Sequence, residues 1–185
     1  MASSRELRAD ARASVERILA VAPDVLAEDP YAGLQRIADA SGLHRATVYR
    51  HFTSREALVM HLYTAWLADI AEVFTTVNTD APDVLLELRR VTAEVYERNL
   101  VWKAYAWAPS YPPEFAPVRD AIISQFEQLF RRGRDEGVLR GDMSVVDLHT
   151  AWGVPILYMA GRIVEGSASL EEAVEFTLRL IRSPG

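Results

Sequence analysis

The sequence contains no cysteine, so disulfide bonds, thiolate nucleophiles and cysteine-based zinc sites are excluded. Four histidines are present, but no H-E-x-x-H motif or carboxylate cluster accompanies them. Phosphate loops, G-x-S-x-G elbows and Rossmann fingerprints are also missing. We therefore expect no enzyme activity, no metal site and no cofactor.

Long apolar runs are missing as well. The longest uncharged apolar stretch, 151–161, is too short to span a bilayer. The first twelve residues carry charges where a signal peptide needs an apolar segment, so we expect a cytoplasmic protein. The chain of 185 residues is 50% hydrophobic and 25% charged, which is typical of a soluble globular protein with a substantial core.

Basic residues are scarce overall, and a net charge of −6 argues against a nucleic-acid partner because Lys and Arg must neutralise phosphates. The average hides an asymmetry along the chain. Residues 1–61 hold eight arginines and eight acidic residues, so the whole acidic excess lies in the C-terminal part. Within 36–55, four arginines face one acid, Asp39, which makes this segment the candidate for docking on DNA.

Apolar residues recur with a period of 3.6, and no segment sustains the alternation of a strand, so the sequence predicts an all-α fold. Pro23 is expected to kink or end the first helix. A short second helix is predicted to end at Gly42, which suits a left-handed C-cap, and a third to cover 44–51. Thr53 and Glu56 fit a capping box that starts a long fourth helix.

The remaining chain predicts further helices. Apolar faces begin near Val84 and Val118, and the last two helices follow the N-cap residues Ser144 and Ser169. Pro155 lies within the first of these two and is expected to kink it.

Two short helices joined by a turn of about three residues with a glycine describe a helix-turn-helix, whose second helix can enter the major groove of DNA. Its arginine, hydroxyl and imidazole donors suit phosphates and base edges. Other interpretations stay open: the arginine-rich helix as a solvated surface, and Tyr49 as a core residue. Arg5, Arg8 and Arg12 are either a minor-groove arm or a frayed end.

The run IADASGLHRATVYRHFTSREAL, residues 37–58, resembles the DNA-binding signature of the TetR family of transcriptional regulators. The likeness spans about residues 14–60. It implies a three-helix DNA-binding head with the helix-turn-helix, residues 1–53, and a helical-bundle body for effector binding and dimerisation, residues 54–185. A homodimer would present two recognition helices to a pseudo-palindromic operator, and a bound effector would favour a state that leaves DNA.

Position by position, the resemblance implies that Gly42 lies at the tight turn and Phe52 in the core of the head. Gly33 is suited to capping the second helix. His44 stands where a serine cap is common and is available to bond phosphate instead of capping. The predicted DNA contacts are Arg36, His44, Arg45, Ala46, Thr47, Tyr49, Arg50, His51 and Arg55.

Six of the 17 aromatic residues fall within 96–115, beside a proline-rich break at 109–117. Such rings suit a cavity for a small apolar or aromatic molecule, and they suit core and interface packing equally well. The predicted ligand-binding residues are Trp66, Trp102, Tyr105, Trp107, Tyr111, Phe115, Trp152 and Tyr158.

The resemblance also implies that the last two helices form the dimer interface. The interface residues predicted on these helices are Ile156, Ile163, Leu170, Val174, Leu178 and Ile181. The function expected from the whole sequence is a ligand-responsive repressor. The alternatives are a DNA-binding protein without an effector, or a helical small-molecule-binding protein or enzyme.

Overall fold

The computed structural model describes residues 4–108, 113 and 116–184. Within these ranges the chain forms ten helices and no strand, which confirms the all-α prediction. The helices are α1 (Ser4–Glu28), α2 (Leu34–Ser41), α3 (Arg45–His51), α4 (Arg55–Thr75), α5 (Val84–Trp102), α6 (Ala104–Trp107), α7 (Ala116–Asp135), α8 (Val145–Gly153), α9 (Pro155–Val164) and α10 (Leu170–Ile181).

The chain divides into two compact units, Met1–Ala65 and Trp66–Gly185, which we call the first and second units. The division falls within α4. The domain limits of 1–53 and 54–185 stay predictions about how function is divided along the chain.

In the first unit, α1 does not end at Pro23 but continues to Glu28. Val25 and Leu26 are buried in the turns that follow the proline. Proline removes one backbone donor, but burial of these apolar side chains stabilises the helix beyond it.

Two helix ends in this unit follow the expectations, and one does not. Gly33 is the N-cap of α2, and Gly42 closes it with a left-handed backbone, φ 64°. The cap of α4 is Ser54 rather than Thr53: the backbone N–H of Ala57 donates to Ser54 Oγ at 3.2 Å. The predicted capping box is therefore not formed: the helix begins at Arg55, its third position is Ala57, and alanine has no side-chain acceptor for the N–H of the cap residue.

The core of the second unit contains a cluster of aromatic rings around Trp152 on α8. The Trp152 ring lies 5.0 Å from Phe126, 6.1 Å from Phe74 and 6.2 Å from Phe130, measured between centroids. Its indole N–H donates to Thr92 Oγ1 at 2.8 Å. The cluster thus buries both the apolar surface of the tryptophan and its one donor.

The C-terminal helices begin as the sequence predicts, with complete capping boxes at Ser144 with Asp147 and at Ser169 with Glu172.

At Pro155 the structure has a division between two helices where the sequence predicts a kink within one. The segment divides into α8 and α9 with Val154 between them, and Pro155 is the first residue of α9. The first helical position needs no intrahelical N–H bond, so proline is well tolerated there.

Among the described residues, α4 alone is long and apolar enough to cross a membrane by length and composition. Its apolar side chains, including Leu62, Trp66, Val73 and Phe74, are buried within the protein. Asp69, which follows in the second unit, accepts hydrogen bonds from Arg98 and Trp102, both on α5. These properties fit the core helix of a folded protein.

Candidate functional site

The first unit contains a helix-turn-helix formed by α2 and α3. α2 packs against both α1 and α3, with Leu34, Ile37 and Ala38 buried. On α3, Val48 is the one buried residue, and Phe52, just after the helix, is buried as well. The other six side chains of α3 are fully or partly exposed, so this helix presents most of its polar groups to solvent.

The turn between the two helices is held by Arg17 of α1. Its guanidinium donates to the backbone carbonyl of Ser41 at 2.7 Å. A Cβ atom added to Gly42 would lie 3.3 Å from the same guanidinium, and a side chain would also oppose the positive φ. The role of Arg17 is not predictable from sequence, because an arginine on an amphipathic helix gives no sign of a carbonyl 24 residues away.

His44 caps α3. Its Nδ1 accepts the backbone N–H of Ala46 at 3.3 Å, which corrects the expectation that His44 bonds phosphate instead of capping. An accepting Nδ1 assigns the proton of the neutral imidazole to Nε2. The exposed side chain therefore retains one donor besides its capping role.

Arg45 and Tyr49 form a stacked pair one turn apart on α3. The guanidinium carbon of Arg45 lies over the Tyr49 ring, 4.9 Å from its centroid, within the range of a cation–π interaction. Tyr49 is 39% exposed, which rules out the alternative of a packed core tyrosine. Ala46 and Arg50 are exposed too, and Thr47 is partly exposed.

Three other predicted DNA contacts, Arg36, His51 and Arg55, are either bonded within the protein or partly buried. Arg36 pairs with Glu28 at 2.9 Å and with Asp29 at 3.4 Å. Arg55 donates to the carbonyl of Pro30, and its Nε is buried. His51 is half-buried, with a buried Nε2 that has no hydrogen-bond partner among the described residues. The most accessible donors of the set therefore lie on α3 itself.

Glu56 keeps its negative charge in the first turn of α4. Its own backbone N–H and the Ser54 hydroxyl donate to the carboxylate and hold its pKa below the ordinary value of 4.5. An acidic group in this position also interacts favourably with the positive end of the helix dipole.

Three of the predicted ligand-binding tryptophans come together in the second unit. The rings of Trp66 and Trp107 meet edge to face, 5.9 Å between centroids. The Trp107 indole donates to the Trp102 carbonyl at 2.8 Å, and the Trp102 indole donates to Asp69 Oδ2 at 2.8 Å. Asp69 also binds Arg98. This carboxylate is not identifiable from sequence, because its partners lie 29 and 33 residues away.

The other predicted ligand-binding residues are not all brought to this cluster. Trp152 belongs to the separate aromatic core around Phe126. Tyr158 is 67% exposed on α9. The side chain of Tyr105 and the whole of Tyr111 and Phe115 lie outside the described residues.

The residues predicted to form the dimer interface are mostly internal. Ile156, Val174, Leu178 and Ile181 are buried in the second unit, while Ile163 and Leu170 are half-buried. The helical faces were correctly seen as apolar, but most of these side chains stabilise the core of the unit itself. Large apolar side chains that are exposed on α9, on α10 and at the α8–α9 junction are Val154, Tyr158, Val164 and Leu180.

Comparison with known proteins connects this geometry to a family of regulators. Residues 18–62 match the family model described as bacterial regulatory proteins, tetR family. The chain is 23% identical over 133 residues to the HTH-type transcriptional regulator NfxB of Pseudomonas aeruginosa, covering 70% of this chain and 71% of that protein.

Solved structures share the fold over nearly the whole chain. A TetR family transcription regulator from Marinobacter aquaeolei VT8 matches with a TM-score of 0.68 at 18% identity, covering 97% of this chain and 100% of the other. The SmeT–triclosan complex matches with a TM-score of 0.58 at 21% identity, covering 94% and 93%. The family model, NfxB and the Marinobacter protein are all described as regulators.

Proposed function

We propose that this chain is a regulator of the TetR family, and more specifically a cytoplasmic repressor released from its operator by a small apolar or aromatic molecule. The observation that carries the proposal is the surface of α3. Its single buried residue, Val48, leaves Arg45, Thr47, Tyr49 and Arg50 to meet DNA. Guanidinium and hydroxyl groups are the donors that proteins use for phosphates and base edges.

The net charge is compatible with this function because the acidic excess lies outside the DNA-binding segment. Arg36 is held by Glu28 and Asp29, but exposed ion pairs contribute little stability and can be exchanged for phosphate. When an arginine neutralises a phosphate, the DNA releases a bound counterion, and this release favours association most strongly at low salt.

The active species is proposed to be a homodimer formed through the exposed apolar residues of α9 and α10. Val154, Tyr158 and Val164 are each more than half exposed, which is costly for a monomer when such side chains lie close together. A two-fold dimer places two recognition helices on successive major grooves and requires a pseudo-palindromic operator.

The effector is proposed to bind near the three tryptophans, where the Trp102 indole donates to Asp69 and Asp69 also pairs with Arg98. This mixture suits an apolar or aromatic compound oriented by a few polar groups. The structurally similar SmeT was solved as a complex with triclosan, which is a compound of this kind. For release, the effector must bind the DNA-incompetent state more tightly, typically by about 1–3 kcal/mol.

Two linked measurements test the function. Selection from random duplex DNA should enrich a pseudo-palindrome, and a compound screen on that duplex should then find molecules that release the protein. Sequence-independent binding in the selection would contradict a specific regulator. Specific binding with no releasing compound would favour a DNA-binding protein without an effector.

The dimer surface has its own test. Tyr158→Glu should shift the protein toward monomer in sedimentation and weaken operator binding, because it places a charge within the apolar contact. Leu86→Glu, at an equally exposed leucine on α5, is the matched control and should remain dimeric. Unchanged dimerisation of the Tyr158 variant would contradict the assignment.

A further inference from the structure

The arginines near the recognition helix differ in what they already bind. Of the four between residues 36 and 55, Arg36 is paired with carboxylates and Arg55 with a backbone carbonyl. Arg45 and Arg50 are exposed, with neither an ion pair nor a hydrogen bond in the part of the chain that the structure describes. These two guanidinium groups therefore keep all their donors for another molecule.

Arg45 differs from Arg50 because it is stacked on an aromatic ring. The Tyr49 ring supports its guanidinium at 4.9 Å. Stacking uses the face of the guanidinium, whereas its five N–H donors lie in its plane and stay available. The pair thus restricts the rotamers of Arg45 before any partner arrives, which lowers the entropy lost on binding.

The positions of the two arginines along α3 also differ. Arg45 is the first residue of the helix, and Arg50 is the next to last. In a helix-turn-helix, the N-terminal residues of the recognition helix contact base edges, whereas much of the remaining contact is to phosphates. A pre-oriented, planar pair of donors at the first position matches one base edge best: the O6 and N7 acceptors of guanine in the major groove.

We propose that Arg45 reads a guanine in each operator half-site and that Tyr49 is the positioning residue that holds its guanidinium for this contact. Arg50 contacts phosphate and contributes affinity without base preference. The assignment rests on the proposed operator-binding function, and it adds a specific base at a specific residue.

The test begins with sequence selection using the full-length protein and the variant Arg45→Ala. The wild type should enrich a sequence with an invariant guanine in each half-site, and the variant should lose that preference while keeping the others. Replacing this guanine by adenine should weaken wild-type binding by roughly 5- to 150-fold, and binding of Arg45→Ala by less than about 2-fold. Binding is compared at low salt so that the weaker complexes remain measurable.

A base analogue isolates the contact itself. 7-Deazaguanine at the same position removes the N7 acceptor and retains base pairing. Wild-type affinity should fall, whereas the affinity of Arg45→Ala should not change. An equal loss in both proteins would assign the effect to the shape of the DNA and overturn the role of Arg45.

The role of Tyr49 is tested by separating its ring from its hydroxyl. Tyr49→Phe keeps the stacking surface and should retain the guanine-to-adenine discrimination ratio, even where overall affinity falls. Tyr49→Leu removes the aromatic face and should reduce that ratio, with an unchanged helical circular-dichroism spectrum. A leucine variant that discriminates as well as the wild type would overturn the positioning role.

Arg50→Ala is the matched control on the same helix. It should weaken binding to all sequences about equally and reduce the slope of log affinity against log salt by about one. Failure of the wild type to enrich any sequence would contradict the proposed function as a whole. Enrichment without an Arg45-dependent guanine would overturn this inference alone and leave the regulator function standing.

Discussion

The two units use their polar side chains in opposite ways. On α3 of the first unit, charged and hydroxyl groups lie on the surface, and the helix is anchored by Val48. In the second unit, Thr92 and Thr177 are fully buried and bond to Trp152 and Tyr96 on other helices. Surface groups are free to contact a partner, whereas buried ones fix the packing of helices, because a buried polar group is costly unless it is bonded.

The largest expected effect tests the buried side of this contrast. Trp152→Ala should lower the free energy of unfolding by about 3–5 kcal/mol, because it removes a ring that packs against three phenylalanines. Chemical denaturation measures the change. Trp152→Phe keeps an aromatic ring but loses the bond to Thr92, and it should lower the free energy of unfolding by distinctly less. An equal loss in both variants would show that ring packing is not the main contribution.

Adjacent residues of α3 provide the sharpest version of the comparison. Val48→Ala should destabilise the protein by about 2 kcal/mol, since it removes buried methyl groups and leaves a cavity. Tyr49→Ala should change stability by less than about 0.5 kcal/mol but weaken operator binding. Thermal melting and a DNA-binding titration on both variants check this, and the opposite pattern would contradict the assigned directions of these side chains.

The start of α4 allows a smaller test with a neighbouring control. Ser54→Ala should cost about 1 kcal/mol because the N–H of Ala57 loses its acceptor. Thr53→Ala should be nearly neutral. A larger loss of stability in Thr53→Ala than in Ser54→Ala would support the capping box that the sequence predicts.

The smallest expected effect is on the pH dependence of stability, and it concerns the carboxylate of Glu87 in the second unit. Hydrogen bonds from Arg90 and from the Asn78 backbone lower the pKa of Glu87 below 4.5, against the opposing effect of burial. Because the pKa of Glu87 is lower in the folded state than in the unfolded state, the ionised residue stabilises the fold at any pH above the unfolded-state pKa. This contribution is lost as the pH falls through the folded-state pKa. Stability measured from pH 6 to 3 should therefore decline below about 4.5, and Glu87→Gln should flatten the part of the decline due to this residue.

Local features were the most predictable from sequence. Gly42, Ser144 and Ser169 act as predicted, because a cap depends on a few adjacent residues. The all-α fold and the helix-turn-helix followed from periodicity and spacing for the same reason. Where alternatives differ by one residue, as for Thr53 and Ser54, local pattern is insufficient, because packing decides where the first turn begins.

Contacts between distant residues were not predictable. Asp69 is linked to Trp102, and Arg17 to Ser41, across 33 and 24 residues. Burial of Val174 and Leu178 shows a related limit: an apolar face predicts that something covers a helix, but not whether the cover is the same chain or a partner. Pro23 does not end α1, because packing beyond it outweighs one missing backbone bond; a kink there stays a prediction.

The single buried residue of α3 has a consequence for how such proteins diversify. Because Val48 is the one buried side chain of α3, substitutions at the exposed positions of this helix should cost little stability. If α3 reads the operator as proposed, such substitutions would change the DNA sequence that is read. Under that proposal, a duplicated gene could acquire a new operator in a few substitutions, each through a folded intermediate, without any change in the second unit.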